Sequence, residues 1–217
     1  MHPLTLTVRD LGLVPYDEAL ALQKEIAAER MEKRGEDVVL LLCHPPVGTV
    51  GRAARAEPDP DTGGIPVRRI ERGGKATYHG PGQIVAYPVL RLDTLDLGVG
   101  DYMRSLEGGV LRALAAFDVE GSRKREAPGV WVGERKIASI GAAVRRGVAF
   151  HGLAWNLSPE PAGFSRIRPC GLDPSVVTSL EEVLDRVVDW IDAKRALVEG
   201  LSAEWGVALS EGAGDPS

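Results

Sequence analysis

The chain has 217 residues, 44% hydrophobic and 26% charged, with a formal net charge of -5, a balance that fits a globular protein with a sizeable core. No apolar run approaches the ~20 residues of a membrane helix. The opening MHPLTLTVRDLG has neither the basic nor the apolar region of a secretory signal. The two cysteines, Cys43 and Cys170, make no disulfide framework and are expected as free thiols of a reducing compartment, which points to the cytoplasm. The charge is unevenly spread. Residues 61–170 hold 16 Lys+Arg against 11 Asp+Glu, while the rest of the chain is acidic. Such a basic centre suits an acidic protein partner or a phosphate-bearing substrate. Nucleic acid is the weakest candidate, because no aromatic-basic pattern accompanies the charge.

In chain order, residues 15–34 predict an amphipathic helix with Tyr16, Ala19, Leu20, Gln23, Ile26, Ala27 and Met31 on one stripe. Val38–Leu42 predicts a buried strand, closed by the breaker His44-Pro45-Pro46, and residues 52–66 predict an exposed loop. Ile84–Leu90 predicts another strand, with Pro88 marking its end or an edge position. Residues 101–117 predict a helix weakened by Gly108-Gly109. Val130–Val132, Lys136–Val144 and Val148–Leu157 predict a meander joined by the turns Gly133-Glu134-Arg135 and Arg145-Arg146-Gly147. Thr178-Ser179-Leu180-Glu181 reads as a capping box opening a helix that runs through Val187, Val188 and Ile191 to about Trp205. The tail 211–217 is expected to fray. Helix and strands, then helix, meander and terminal helices, favour an α+β fold over alternating parallel units.

Three places carry candidate chemistry. In Arg72-Gly73-Gly74-Lys75-Ala76-Thr77-Tyr78-His79-Gly80-Pro81-Gly82-Gln83, glycines permit close backbone approach beside the donors Arg72, Lys75, Thr77 and His79. The segment lacks the endings of a phosphate loop or a dinucleotide fingerprint, and a structural turn competes evenly with a ligand loop. Lys136 opens a strand in register with Ala138 and Ile140. It is either at an exposed strand end, the commoner case, or aimed at a pocket, where its ammonium would lower a neighbouring thiol's pKa. Cys170, in SRIRPCGLDP, is a candidate nucleophile with Arg166 and Arg168 nearby and His79, His151 and Lys136 as possible partners through space. Cys43 ends an apolar run and reads as packing, and His151 and His44 read as structural. No His, Cys, Asp or Glu spacing suggests a metal site.

RGGKATYHGPGQIVAYP, GVWVGERKIASIGAAVRRGVAFHGLAWNL and F-x-x-I-x-PCGL, preceded by HPPVGTVGR, together resemble the lipoyl(octanoyl) transferases. Each block alone is weak; their order over residues 38–180 is specific. The resemblance implies a single domain over residues 1–210, folded like the catalytic domain of biotin and lipoate protein ligases, with mixed or antiparallel sheets and flanking helices. It implies transfer of octanoate from octanoyl-acyl carrier protein to an enzyme cysteine, then to a lysine of lipoyl domains of 2-oxoacid dehydrogenases or the glycine-cleavage H protein, with no cofactor. By position, Cys170 matches the acyl-thioester cysteine and Lys136 the lysine that lowers its pKa. Arg72, Gly73, Gly74, Lys75, Ala76, Thr77, Tyr78 and His79 match the acyl-pocket loop. Ser139, Ile140 and Gly141, with Gly152, Leu153 and Ala154, match its other walls. Cys43 stands where such relatives often carry an acid. Alternatives are an ATP-dependent lipoate ligase on the same fold, an octanoyl amidotransferase, and a non-catalytic acyl-binding module.

Overall fold

A computed structural model describes residues 5–54, 62–125, 127–158 and 176–211. In chain order they form β1 (Thr5–Leu13), α1 (Tyr16–Met31), β2 (Val38–Cys43), β3 (Val47–Val50), β4 (Val67–Arg69), β5 (Ala76–His79), β6 (Gln83–Arg91), α2 (Val99–Ala115), β7 (Ser122–Arg123), β8 (Val130–Val132), β9 (Arg135–Arg145), β10 (Val148–Asn156), α3 (Leu180–Leu184), α4 (Trp190–Trp205) and β11 (Ala208–Glu211). A large mixed sheet has the order β11-β1-β2-β6-β10-β9-β8-β7, and a small one the order β4-β3-β5. β1 runs parallel to both β2 and β11, while β2, β6, β10, β9 and β8 pair antiparallel in turn.

The period of two along the strands builds both faces of the large sheet. Val39, Leu41, Ile84, Ala86 and Leu90 join α2 and α4 in one core. Val38, Leu40, Leu42, Val85, Tyr87 and Val89 meet Ala19, Ile26 and Ala27 of α1 in the other. The resulting order is helix, sheet, helices. α1 follows its predicted stripe, with Asp17 and Glu18 in its first turn and Arg30 in its last, matching the helix dipole. The α+β expectation and the meander hold.

The glycine pair in α2 has a packing cause. A Cβ on Gly109 would stand 2.5 Å from Leu201 Cδ2 of α4, and one on Gly200 would overlap the Gly109 carbonyl. Bare backbone lets α2 and α4 cross closely.

Three expectations need correction. Pro88 lies in the middle of β6, between two paired strands, rather than at an end or edge. A proline cannot donate to the ladder, and the β6–β10 pairing is interrupted there, between Ala86–Leu153 and Leu90–Ala149. Opposite the gap His151 adopts φ 58° and turns its N–H to Gln23 Oε1 at 2.9 Å. Second, the helix cap is Ser179, which accepts from the Glu182 N–H, and not Thr178. Third, the terminal helix is broken. Asp185 turns left-handed at φ 51°, Asp189 caps a new helix at the Ile191 and Asp192 N–H groups, and Val187 and Ile191 stay exposed. The tail beyond residue 211 lies outside the described residues, and Glu211 itself closes β11.

Candidate active site

β8 pairs with β9 only from Arg135 to Ala138, so the rest of the β9 edge diverges from it. The loop after β4 fills part of that edge: the Gly73 N–H donates to the Ala142 carbonyl at 3.0 Å. Between them opens a cavity of about 380 Å³, within the size range of small-molecule sites. Its walls are Arg72, Gly73, Gly74, Lys75, Thr77 and His79 on one side and Ser139, Ile140, Gly141, Gly152, Leu153 and Ala154 on another. Lys136, Pro128, Ala127 and Met103 line it, as do Tyr16, Tyr87 and His151.

The predicted loop thus comes to the cavity with an internal alternation. Along β5, Thr77 and His79 face it, while Tyr78 packs with Ala76, Ile65 and Val177 away from it. Ala76 and Tyr78 are therefore backing residues of the wall, not lining ones. Cys170, with Arg166 and Arg168, lies outside the described residues. Sequence reasoning missed Tyr16, Tyr87, Met103, Ala127 and Pro128 as lining residues. Tyr16 and Tyr87 sit on periodic buried faces, where a tyrosine reads as core.

Lys136 is buried rather than at an exposed strand end, with 7% of its surface accessible. Its Nζ donates to the Pro128 carbonyl at 2.7 Å and stands 5.7 Å from the Trp131 ring centroid. Gly129 makes room for its stem, since a Cβ there would be 2.5 Å from Lys136 Cε. The Lys136 backbone also anchors the chain that returns after residue 175. Lys136 and Val177 form a parallel bridge, the Thr178 N–H donates to the Lys136 carbonyl at 3.0 Å, and Asn156 Nδ2 donates to the Thr178 carbonyl at 2.9 Å.

Arg72 spends donors on the frame: Nη2 to the Thr49 carbonyl and hydroxyl, both at 2.9 Å, and Nη1 to the Gly73 carbonyl at 2.8 Å. It fixes the glycine loop on β3. Behind it, Tyr16, His44, His79, Tyr87 and His151 form a connected ring cluster. Burial holds His44 and His151 down at about 4 and His79 well below its ordinary value, with neighbouring His44 and Arg72 adding to the His79 shift. All three are neutral at neutral pH. His44 Nδ1 is 2.7 Å from the Val14 carbonyl and so carries the proton, leaving Nε2 to accept from the Tyr87 hydroxyl at 2.8 Å. Thr77 Oγ1, His79 Nδ1 and His151 Nε2 are buried in the cavity wall without a hydrogen-bond partner among the described residues. Cys43 is half-buried, its Sγ directed at the His44 and Gly80 carbonyls, and burial raises its pKa. It is not an activated thiol. Among the described residues, no three His, Cys, Asp or Glu gather as a metal site requires, and no helix is long and apolar enough to cross a membrane.

A wall of small residues and neutral rings, with the buried cations Lys136 and Arg72, suits an acyl chain ending near an ionisable group. Residues 15–202 match the family model of the lipoyl protein ligase A/B catalytic domain. The chain is 41% identical over 203 residues to an octanoyltransferase of Ectopseudomonas mendocina (strain ymp), covering 94% of this chain and 98% of that protein. It is 44% identical over 204 residues to one of Rubrobacter xylanophilus, covering 90% and 91%. The fold resembles that of lipoate-protein ligase A bound with ATP, with a TM-score of 0.75, 17% identity and 98% and 89% of the two chains covered. It also resembles the biotin protein ligase of Aquifex aeolicus in complex with biotin and ATP, with a TM-score of 0.55, 14% identity and 93% and 70% covered. The chain belongs to the octanoyltransferase family, within the lipoyl protein ligase A/B catalytic domain.

Proposed function

We propose that this protein transfers an octanoyl group from octanoyl-acyl carrier protein to a lysine of a lipoyl domain, through a thioester on Cys170, as a step of protein lipoylation. The observation that carries the reading is Lys136, a buried amine on the wall of an apolar cavity, in a chain of octanoyltransferase sequence. In the first half-reaction the Cys170 thiolate, stabilised by the Lys136 ammonium, attacks the carrier's thioester carbonyl. The carbon–sulfur bond to the carrier breaks, and its thiolate takes the proton that Lys136 releases. In the second half the acceptor lysine's amine attacks the Cys170 thioester. Lys136, now an amine, accepts that lysine's proton as the amide forms and the Cys170 thiolate leaves.

Thioester exchange is nearly balanced and amide formation is downhill, so no nucleotide is needed. The walls of Gly73, Gly141, Gly152 and Ala154 leave room for the chain. Lys75, exposed at the rim, belongs to the basic central segment that would meet the acidic carrier and lipoyl domains. The 2-oxoacid dehydrogenase and H-protein lipoyl domains are the proposed acceptors, and the cytoplasm the proposed compartment.

Intact mass spectrometry after incubation with octanoyl carrier protein, without ATP, tests this. A thioester-labile octanoyl adduct is expected, absent in Cys170→Ser. An adduct that needs ATP points instead to a ligase, and no adduct under either condition to a binding module.

A further inference from the structure

One amide group separates Lys136 from a buried acid. The Pro128–Gly129 peptide accepts from Lys136 Nζ on its carbonyl side, at 2.7 Å. On its other side the Gly129 N–H donates to Glu107 Oε1 of α2, at 2.9 Å. Glu107 is itself buried, 9% accessible, and its second oxygen faces Arg123 Nε at 3.3 Å. The peptide is held at φ 129° for Gly129, a conformation that L side chains rarely adopt. A Cβ at that position would overlap the Ala138 carbonyl as well as the lysine stem. The peptide therefore has little freedom except as a bridge between the two charges.

We infer that Glu107 is a positioning residue for Lys136, acting through the Pro128–Gly129 peptide group. The carboxylate polarises the amide, its carbonyl becomes a stronger acceptor, and the ammonium form of Lys136 is favoured and aimed into the cavity. The inference rests on the proposed role of Lys136 in octanoyl transfer. Other charged groups around the lysine are few on the described elements. Lys124 lies over the same Trp131 ring, at 4.4 Å, and pairs with Glu134. Arg135 and Glu182 pair with each other beside it. Glu107 is the acid whose hydrogen bond is directed at the lysine's own acceptor.

The two charges are roughly 7 Å apart by standard bond and hydrogen-bond lengths. At the effective dielectric of a protein interior this distance corresponds to a shift on the order of one pH unit in the lysine's titration. The test is the pH dependence of single-turnover octanoylation by octanoyl carrier protein, followed by intact mass, in wild type, Glu107→Gln and Arg123→Gln. Glu107→Gln keeps an acceptor for Gly129 but loses the charge, so the upper limb of the profile should move down by about one unit. Arg123→Gln removes the opposing charge and should move it up by less. A lost fold element would lower amplitude in both without opposite displacements. Superposable profiles, or displacements of the same sign, overturn the inference while leaving octanoylation itself standing. Should Glu107→Gln fail to fold, Arg123→Gln, an exposed position, decides alone. A wild type that forms no octanoyl adduct removes the proposed function, and this inference with it.

Discussion

Acidification should destabilise this protein well above the pH at which its carboxylates titrate. His44, His79 and His151 are buried together, and burial disfavours their charged forms. In the unfolded chain each has an ordinary pKa near 6.5, whereas His44 and His151 are held at about 4 in the fold. Below about 6.5 the unfolded state therefore binds protons that the native state refuses, and stability falls until the folded pKa is reached. Between about pH 7.5 and pH 5, each of the two costs about 2 kcal/mol, so the pair removes about 4 kcal/mol, and His79 adds to it. That is a large fraction of the 5–15 kcal/mol typical of a folded protein. Asp17, Asp93 and Glu182, whose pKa values are lowered by hydrogen bonds from arginines, act in the same direction but in a lower window, losing their stabilisation only as pH falls below their ordinary values of about 4. Urea denaturation followed by tryptophan fluorescence at both pH values measures the loss. His151→Asn tolerates the left-handed backbone at that position and should remove about 2 kcal/mol of the pH dependence. A wild-type loss under about 1 kcal/mol, or a native imidazole of this cluster titrating near 6.5, refutes the reasoning.

Lys136→Ala should retain its near-ultraviolet circular dichroism and lose octanoyl transfer by about a hundredfold or more, the range of a general acid–base group. Transfer at a normal rate would remove the lysine from the mechanism. Thr77→Val replaces a buried hydroxyl that has no partner by a methyl of the same shape. Stability should rise by about 1 kcal/mol, seen as a Tm increase of about 2–4 °C, and a lower Tm would show that the hydroxyl is bonded. Gly152→Ala would drive a Cβ into the Ala86 carbonyl and within 2.7 Å of Pro88 Cδ. A destabilisation of about 1–3 kcal/mol is expected in urea, and none would mean that β6 and β10 separate easily there.

The two-sided core was legible because its signal is periodic. β2, β6 and β10 are mostly apolar runs of strand length, buried along nearly their whole length, and α1 and α2 carry apolar residues at helical spacing. β1 and β11 were not, since β1, although paired on both sides, exposes much of its length and presents mixed residues, and β11 is a short edge strand. The small sheet was hidden by glycines and prolines that read as turns, although the alternation of Thr77 and His79 with Ala76 and Tyr78 was already there. Pro88 misled because a proline's missing donor is visible in sequence, but the interrupted partner at His151 is not. For Lys136 the frequency of solvated lysines favoured exposure. What buries it is a glycine without a side chain and a carbonyl supplied by Pro128, neither of which appears in a hydrophobicity pattern. Tyr16 and Tyr87 show the converse: a wall residue and a core residue can have the same spacing.

The bridge between Lys136 and Val177 sets a local concentration. Cys170 is seven positions before Val177, and a chain of that length spans at most about 25 Å. One thiol averaged over a sphere of that radius corresponds to roughly 25 mM around the lysine strand. The hydrogen bond from Asn156 to Thr178 joins the described strand before Cys170 to the described chain after it. In the proposed reaction nucleophile and base thus belong to one chain, so their encounter is intramolecular. The carrier and the lipoyl domain then each need to bring only one reactive group.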